Sequence, residues 1–235
     1  MYWGYGGGDG PALWAELSPD FVECGSGRAQ SPVALGVSQP VETSRALARH
    51  FGPGTLEIDE RTHVLDLMDN GHTIQITADG HSSITLDGIR FELVQVHFHA
   101  PSEHRIDGRS FPLETHLVHR SGDGELAVVG VLAVAGDANP VYETVVAGLP
   151  RAVGDDRHLE DVDTAEDELL PDSDRYHRYD GSLTTPPCSE GVRWVVIADP
   201  VELSREQLDA FAAVLHDNNR PLQPLNGRRI GLITD

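Results

Sequence analysis

Lysine is absent. All 17 basic residues are arginine, set against 38 acidic ones, so the formal net charge is −21. A surface this acidic repels phosphate backbones and anionic headgroups, which argues against nucleic-acid and membrane-surface partners. Long apolar runs are missing too: none reaches the ~20 residues of a membrane span. The opening Met1-Tyr2-Trp3-Gly4-Tyr5 has neither a basic region nor an apolar stretch, so it carries no visible signal peptide. Cysteine is scarce. Cys24 and Cys188 are either two unrelated buried thiols or one long-range disulfide. Sequence arithmetic does not choose between them. A bridge closing a loop of about 160 residues would stabilise by at most ~5 kcal/mol in the chain-entropy picture.

Recognisable catalytic signatures are also few. There is no His-Glu-x-x-His helix and no Gly-x-Ser-x-Gly elbow, which weakens metalloprotease and esterase readings. The Gly6-Gly7-Gly8-Asp9-Gly10 run has no strand before it, so it is not a dinucleotide loop.

What the 235 residues do contain is strand pattern. Thr55–Asp59, His63–Asp69 and Thr73–Ala78 alternate apolar and polar residues between turn residues. Asn70-Gly71 signals a tight hairpin and Asp87-Gly88 another turn. Ile89–His99, Pro112–Arg120, Glu125–Ala135 and Val192–Ala198 follow as strands. Helices are few. Ser204 to Gln207 reads as a capping box ahead of Leu208, Phe211, Ala212 and Leu215 at helical spacing, and Asn139–Gly148 is a second candidate. Asp155–Asp174 reads as an acidic, irregular surface loop. The expectation is a mainly β (α+β) single domain over residues 1–235, built on a large central sheet with a few short surface helices.

The chemistry sits on two of those strands. Alternation places Ile89, Phe91, Leu93, Gln95, His97 and His99 on one face of their strand, and Glu114, His116 and Val118 together on theirs. Two histidines at i and i+2, with a third on a neighbouring strand, can converge on one ion. Metal-binding imidazoles hand their second N–H to an acceptor, and Gln95 and Glu114 stand two positions from ligands. The remaining histidines, including His50, His63, His81, His158, His177 and His216, read as ordinary surface or satisfied residues.

Gln95-Val96-His97-Phe98-His99-Ala100-Pro101-Ser102-Glu103-His104 resembles the zinc strand of bacterial α-carbonic anhydrases. Glu114-Thr115-His116-Leu117-Val118-His119 resembles their third-ligand strand, and Gly181-Ser182-Leu183-Thr184-Thr185-Pro186-Pro187-Cys188 their active-site loop. Trp3-Gly4-Tyr5, Gln30-Ser31-Pro32, Asn70-Gly71-His72, Val192-Arg193-Trp194 and Asn219-Arg220-Pro221 follow the family's order, from Trp3 to about Ile230. The resemblance implies a mostly antiparallel sheet of about ten strands with Zn2+ on His97, His99 and His116. It implies a Cys24–Cys188 disulfide, a periplasmic or secreted location and a homodimer. Thr184 would orient a metal-bound hydroxide and pass its own hydrogen to Glu103. Val118, Val128, Leu183, Thr185, Val192 and Trp194 would wall the carbon dioxide site. His72 would carry the proton out, with Tyr5 and Gln75 bordering the water network. Three neutral imidazoles leave the metal's charge undiminished and its fourth position open, as reversible hydration of carbon dioxide to bicarbonate requires. A catalytically silent binding module of the same fold is the rival reading; it would be expected to lack a ligand histidine, and none is missing.

Overall fold

The computed structural model describes residues 2–36, 41–42, 56–59, 65–77, 82–159 and 169–234. His50, His63, His81 and part of the Asp155–Asp174 segment lie outside them, and of His158 only the backbone is described. The strands are β1 Ala34–Leu35, β2 Val41–Glu42, β3 Leu56–Asp59, β4 Leu65–Asp69, β5 Ile74–Thr77, β6 Ser83–Leu86, β7 Ile89–His99, β8 Arg105–Ile106, β9 Leu113–Ser121, β10 Leu126–Ala135, β11 Asp156–Leu159, β12 Tyr176–Ser182, β13 Glu190–Ile197, β14 Val201–Leu203 and β15 Ile230–Ile233.

Thirteen strands form one sheet, ten of them along the path β11-β4-β5-β7-β9-β10-β13-β12-β15-β2. The large, mostly antiparallel sheet expected from the sequence is therefore present. Parallel pairing within it, among the described residues, is confined to β10 with β13, β10 with β14, and β15 with β2. The Asp87-Gly88 turn has positive φ at both central residues, 56° and 79°, as the twist of a two-residue hairpin demands. Asn70-Gly71 differs from its reading: four residues separate β4 from β5, and the Asn70 Oδ1 atom accepts from the backbone N–H of His72 and Thr73. The helix Arg205–Leu215 carries the expected capping box on Ser204 and Gln207. Pro140–Gly148 is the second helix, capped by the Asn139 side chain.

Alternation along the central strands splits the core in two. Leu117, Ala127, Val129, Val131, Val195 and Ile197 pack on one face with Phe98, Tyr142 and Phe211. Val118, Val128, Leu132, Val192, Trp194 and Val196 pack on the other. Each buried Val, Leu, Ile or Phe side chain among them contributes roughly 1.5–3 kcal/mol.

Strand β7 breaks the simple alternation, and this corrects the reading of its faces. Its register against β9 shifts between Leu93 and Gln95. Val94 is the extra residue of a β-bulge, which reverses the facing of everything after it. Phe91 and Leu93 therefore join Val96 and Phe98 in the first core, not the histidines. Three further readings change. Asp155–Asp174 is not wholly irregular, because Asp156–Leu159 pairs with β4 at the sheet edge. Strand β12 carries buried His177 and Arg178, a polar content that hides it from a hydrophobic pattern; Arg178 is paired with Asp87 at 2.6 Å. His177 is not an ordinary surface residue, being 3% exposed with Nδ1 lacking a hydrogen-bond partner.

Cys24 and Cys188 are bonded, as the family resemblance implied. The bridge fastens the loop after β12 to the short helix Glu23–Ser26. No helix among the described residues is long and apolar enough to cross a membrane.

Two outcomes follow. Deleting Val94 makes it impossible to bury Phe91 and Leu93 while keeping His97 and His99 on the opposite face. The variant is expected to melt well below the parent; an unchanged melting temperature would refute the bulge's role. Burial holds His119 and His177 down at about 4, against partial opposition from the Leu117 and Ala127 backbone and from Asp107 respectively. An unfolded chain binds more protons between ~4 and ~6.5, so unfolding free energy falls as pH drops through that window. Denaturant titrations of chelated protein should show this slope, shallower in His119→Gln; an equal slope in both would contradict it.

Candidate metal centre

Past the bulge, Gln95, His97 and His99 face the side that β9 lines with Glu114, His116 and Val118. His97 pairs directly with His116 across the two strands, and His99 with Glu114. The three imidazoles converge, with ring centroids 4.7–5.0 Å apart. One nitrogen from each can be chosen so that all three lie within 4.8 Å of one another.

The outer nitrogens decide which ones. His97 Nδ1 donates to Gln95 Oε1 at 2.8 Å, His99 Nδ1 to the Asn218 carbonyl at 2.7 Å, and His116 Nε2 to Glu114 Oε1 at 2.8 Å. A neutral imidazole with one N–H committed outward presents a lone pair at its other nitrogen. The inward atoms are thus His97 Nε2, His99 Nε2 and His116 Nδ1. His97 Nε2 and His116 Nδ1 lie 3.2 Å apart, two lone pairs with no hydrogen between them. His99 Nε2 is buried without any hydrogen-bond partner. Tetrahedral Zn–N bonds of ~2.0–2.1 Å put ligand nitrogens ~3.3 Å apart. The donor set, its neutral state and its spacing fit a zinc ion.

Protonation agrees. Burial, then the neighbouring imidazoles, hold His97 well below its ordinary value; burial takes His99 to about 4 and also lowers His116. All three are neutral at pH 7, the ligating form.

Glu114 is fully buried and accepts four hydrogen bonds. Oε1 takes His116 Nε2 and, at 2.6 Å, His104 Nδ1; Oε2 takes the backbone N–H of Glu103 and His104, each at 2.8 Å. Burial alone would raise its pKa, but electrostatic attraction to the His104 and His116 rings and the hydrogen bonds they donate hold it well below the carboxylate range. His104, Glu114 and His116 could also be grouped as metal ligands. Their 2.6–2.8 Å separations are those of hydrogen bonds, and shorter than the ~3.3 Å edge of a zinc tetrahedron. Gly130, facing His116 across β10, keeps the space open: a Cβ there would lie 3.2 Å from Glu114 Oε1.

Glu103 is the second buried carboxylate. Its Oε1 accepts the Arg220 backbone N–H at 2.8 Å. Its Oε2 has no well-formed hydrogen bond and lies 3.6 Å from His99 Nε2. Burial pushes Glu103 up to about 7, opposed by electrostatic interaction with His116, the Arg220 N–H and the Thr184 hydroxyl. A dication on the neighbouring nitrogens would draw it back toward the ionised form.

Val118, Val128, Val192 and Trp194 gather in one cluster, with Leu183 packed against it. The Trp194 ring lies 4.9 Å from that of His116. Thr185 is half-buried, and its carbonyl accepts the Cys188 N–H. His72 is stacked on Trp3 with centroids 3.7 Å apart; burial lowers its pKa, with Asp69 opposing. Gln75 faces His97 across β5 and β7. The Tyr5 hydroxyl is buried without a partner. Burial, then the Glu103 charge, raises its pKa.

Sequence reasoning gave no role to Asn218, Arg220, His104 or Tyr179. Asn218 holds His99 through its carbonyl, while its side chain donates to the His72 and Phe98 carbonyls and accepts from the Ala100 N–H. Backbone acceptors of this kind leave no mark in residue identity. The available signal was the polar run Asn218-Asn219-Arg220, of which Asn218 and Arg220 are buried in the fold.

Comparison with known proteins agrees with this geometry. Residues 9–233 match the family model described as eukaryotic-type carbonic anhydrase. A carbonic anhydrase of Pectobacterium atrosepticum is 45% identical over 98% of this chain and 90% of its own length. One from Nostoc is 40% identical over 97% and 84%. The solved α-carbonic anhydrase of Thermovibrio ammonificans, bound to sulfanilamide, superimposes with a TM-score of 0.90 at 42% identity, covering 98% of both chains. Dioscorin in complex with ascorbate superimposes at 0.86 with 29% identity, covering 100% of this chain and 99% of its own. The chain belongs to the eukaryotic-type, α-class carbonic anhydrase family, a family of carbonate dehydratases.

Proposed function

We propose that this chain catalyses the zinc-dependent, reversible hydration of carbon dioxide to bicarbonate and a proton, with the metal on His97, His99 and His116. The observation that carries the reading is the convergence of three imidazole lone pairs with no hydrogen to share. When bound, zinc supplies Lewis acidity that lowers the pKa of a coordinated water to about 7, a value for which carbonic anhydrase is itself the reference case.

The protein's own groups do the rest. Gln95, the Asn218 carbonyl and Glu114 fix each ring and its tautomer. Glu103, which when ionised can only accept, takes a hydrogen bond donated by the Thr184 hydroxyl. The Thr184 oxygen is then free to accept one hydrogen from the nucleophile and so aim it. Val118, Val128, Leu183, Val192 and Trp194, with Thr185 at the edge, exclude water from the place where an uncharged, donor-free substrate must sit. His72 takes the released proton toward solvent, and Tyr5 and Gln75 border the water path between. The disulfide supports an oxidising compartment, periplasmic or secreted. We also infer a homodimer, which light scattering would register as twice the 25.5 kDa chain mass.

A ligand-binding role without catalysis is disfavoured because the donor set, Thr184 and Glu103 are all intact. His97→Asn is expected to abolish stoichiometric zinc and to cut hydration about a hundredfold or more; full activity in that variant would overturn the ligand assignment. His72→Ala should slow turnover about tenfold at saturating substrate in dilute buffer, with added imidazole restoring it. An unchanged rate there would remove His72 as the proton carrier.

A further inference from the structure

The two buried carboxylates beside the metal ligands are joined by a closed circuit of hydrogen bonds. Glu114 Oε1 meets His104 Nδ1 at 2.6 Å, and His104 Nε2 meets the Tyr179 hydroxyl at 2.6 Å. Tyr179 bonds to Ser31 Oγ at 2.9 Å. The Ser31 carbonyl accepts from Arg220 Nη1 at 2.8 Å, and the Arg220 backbone N–H donates to Glu103 Oε1 at 2.8 Å. The Glu103 backbone N–H returns to Glu114 Oε2 at 2.8 Å. All six residues are at most 2% exposed. Water therefore cannot substitute for a missing partner, and every member constrains the next.

Ser31 is the corner where the circuit closes. Its Oγ also accepts the Ser182 N–H at 3.0 Å, and its own N–H donates to Ser182 Oγ at 2.9 Å. The carboxylate that orients His116 is thereby tied to the one that faces His99 and Thr184, through a residue in the N-terminal segment far from both in sequence. Tyr179 is held for this by stacking on Trp194, at 6.1 Å and 9°, and Trp194 packs on the rings of both His104 and His116 at 4.9 Å.

We propose that Tyr179 and Ser31 are positioning residues for the metal centre, acting on His116 through His104 and Glu114 and on Glu103 through Arg220. The inference rests on His97, His99 and His116 being the zinc ligands. Opening the circuit leaves Glu114 with less restraint, so zinc escapes faster although no ligand has changed.

The test is the rate of zinc release to excess chelator from the holoprotein, alongside thermal unfolding, in Tyr179→Phe, Ser31→Ala and Tyr142→Phe. Tyr142 is the control. Its buried hydroxyl bonds to Thr115 on the opposite face of β9 at 2.9 Å, so its loss carries a similar stability cost without touching the circuit. Both circuit variants should release zinc about five- to tenfold faster than the parent, with Tyr142→Phe releasing it at the parental rate. Release from Tyr179→Phe and Ser31→Ala within twofold of the parent would overturn the proposal, as would equal acceleration in Tyr142→Phe. Failure of the ligand reading shows separately, as a parent protein that holds no stoichiometric zinc.

Discussion

A neutral imidazole has one N–H and one lone pair, and whichever nitrogen donates outward decides which one points inward. Three outward bonds, to Gln95, the Asn218 carbonyl and Glu114, turn the free lone pairs of His97, His99 and His116 toward each other. Without a cation this arrangement is repulsive at 3.2 Å. The fold therefore stores an electrostatic demand at one point, and the neighbouring carboxylates and apolar wall are arranged about it. Desolvation keeps the rings neutral, which suits metal binding and would leave a bound cation's charge uncancelled.

Meeting that demand depends on strand register. Side chains alternate strictly, so a single inserted residue decides whether the histidines face the apolar core or the open side. The bulge at Val94 lets β7 bury Phe91 and Leu93 on one face before the turnover and Val96 and Phe98 on the same face after it. Polar residues inside the protein are handled just as strictly. Arg178 is matched to Asp87 and Arg220 to backbone carbonyls of Cys24 and Ser31; stranding one partner of a buried ion pair typically costs ~3–5 kcal/mol. Planar guanidinium groups suit these fixed multi-acceptor sites.

The candidate site was legible because ligand chemistry demands particular side chains at strand spacing: His97, His99 and His116 converge, with Gln95 and Glu114 bonded behind two of them. The large sheet was legible from alternation in β7, β9, β10 and β13. What escaped was whatever identity does not encode. A bulge is a backbone event, and Val94 resembles any strand residue. Strand β12 hides its pairing behind His177 and Arg178, whose burial is made tolerable by tertiary partners invisible in one dimension. Asn218 acts on His99 through a carbonyl every residue possesses. Residue counting left Cys24 and Cys188 open between two states; the family resemblance implied the bridge, and the fold forms it.

The direct measurement is X-ray absorption at the zinc edge on the purified holoprotein, with the His116→Gln variant beside it. Three imidazole nitrogens and one oxygen at ~2.0–2.1 Å, with one nitrogen missing in the variant, is the outcome this account predicts. A sulfur neighbour, a carboxylate ligand from Glu103 or Glu114, or an unchanged spectrum in the variant would contradict it.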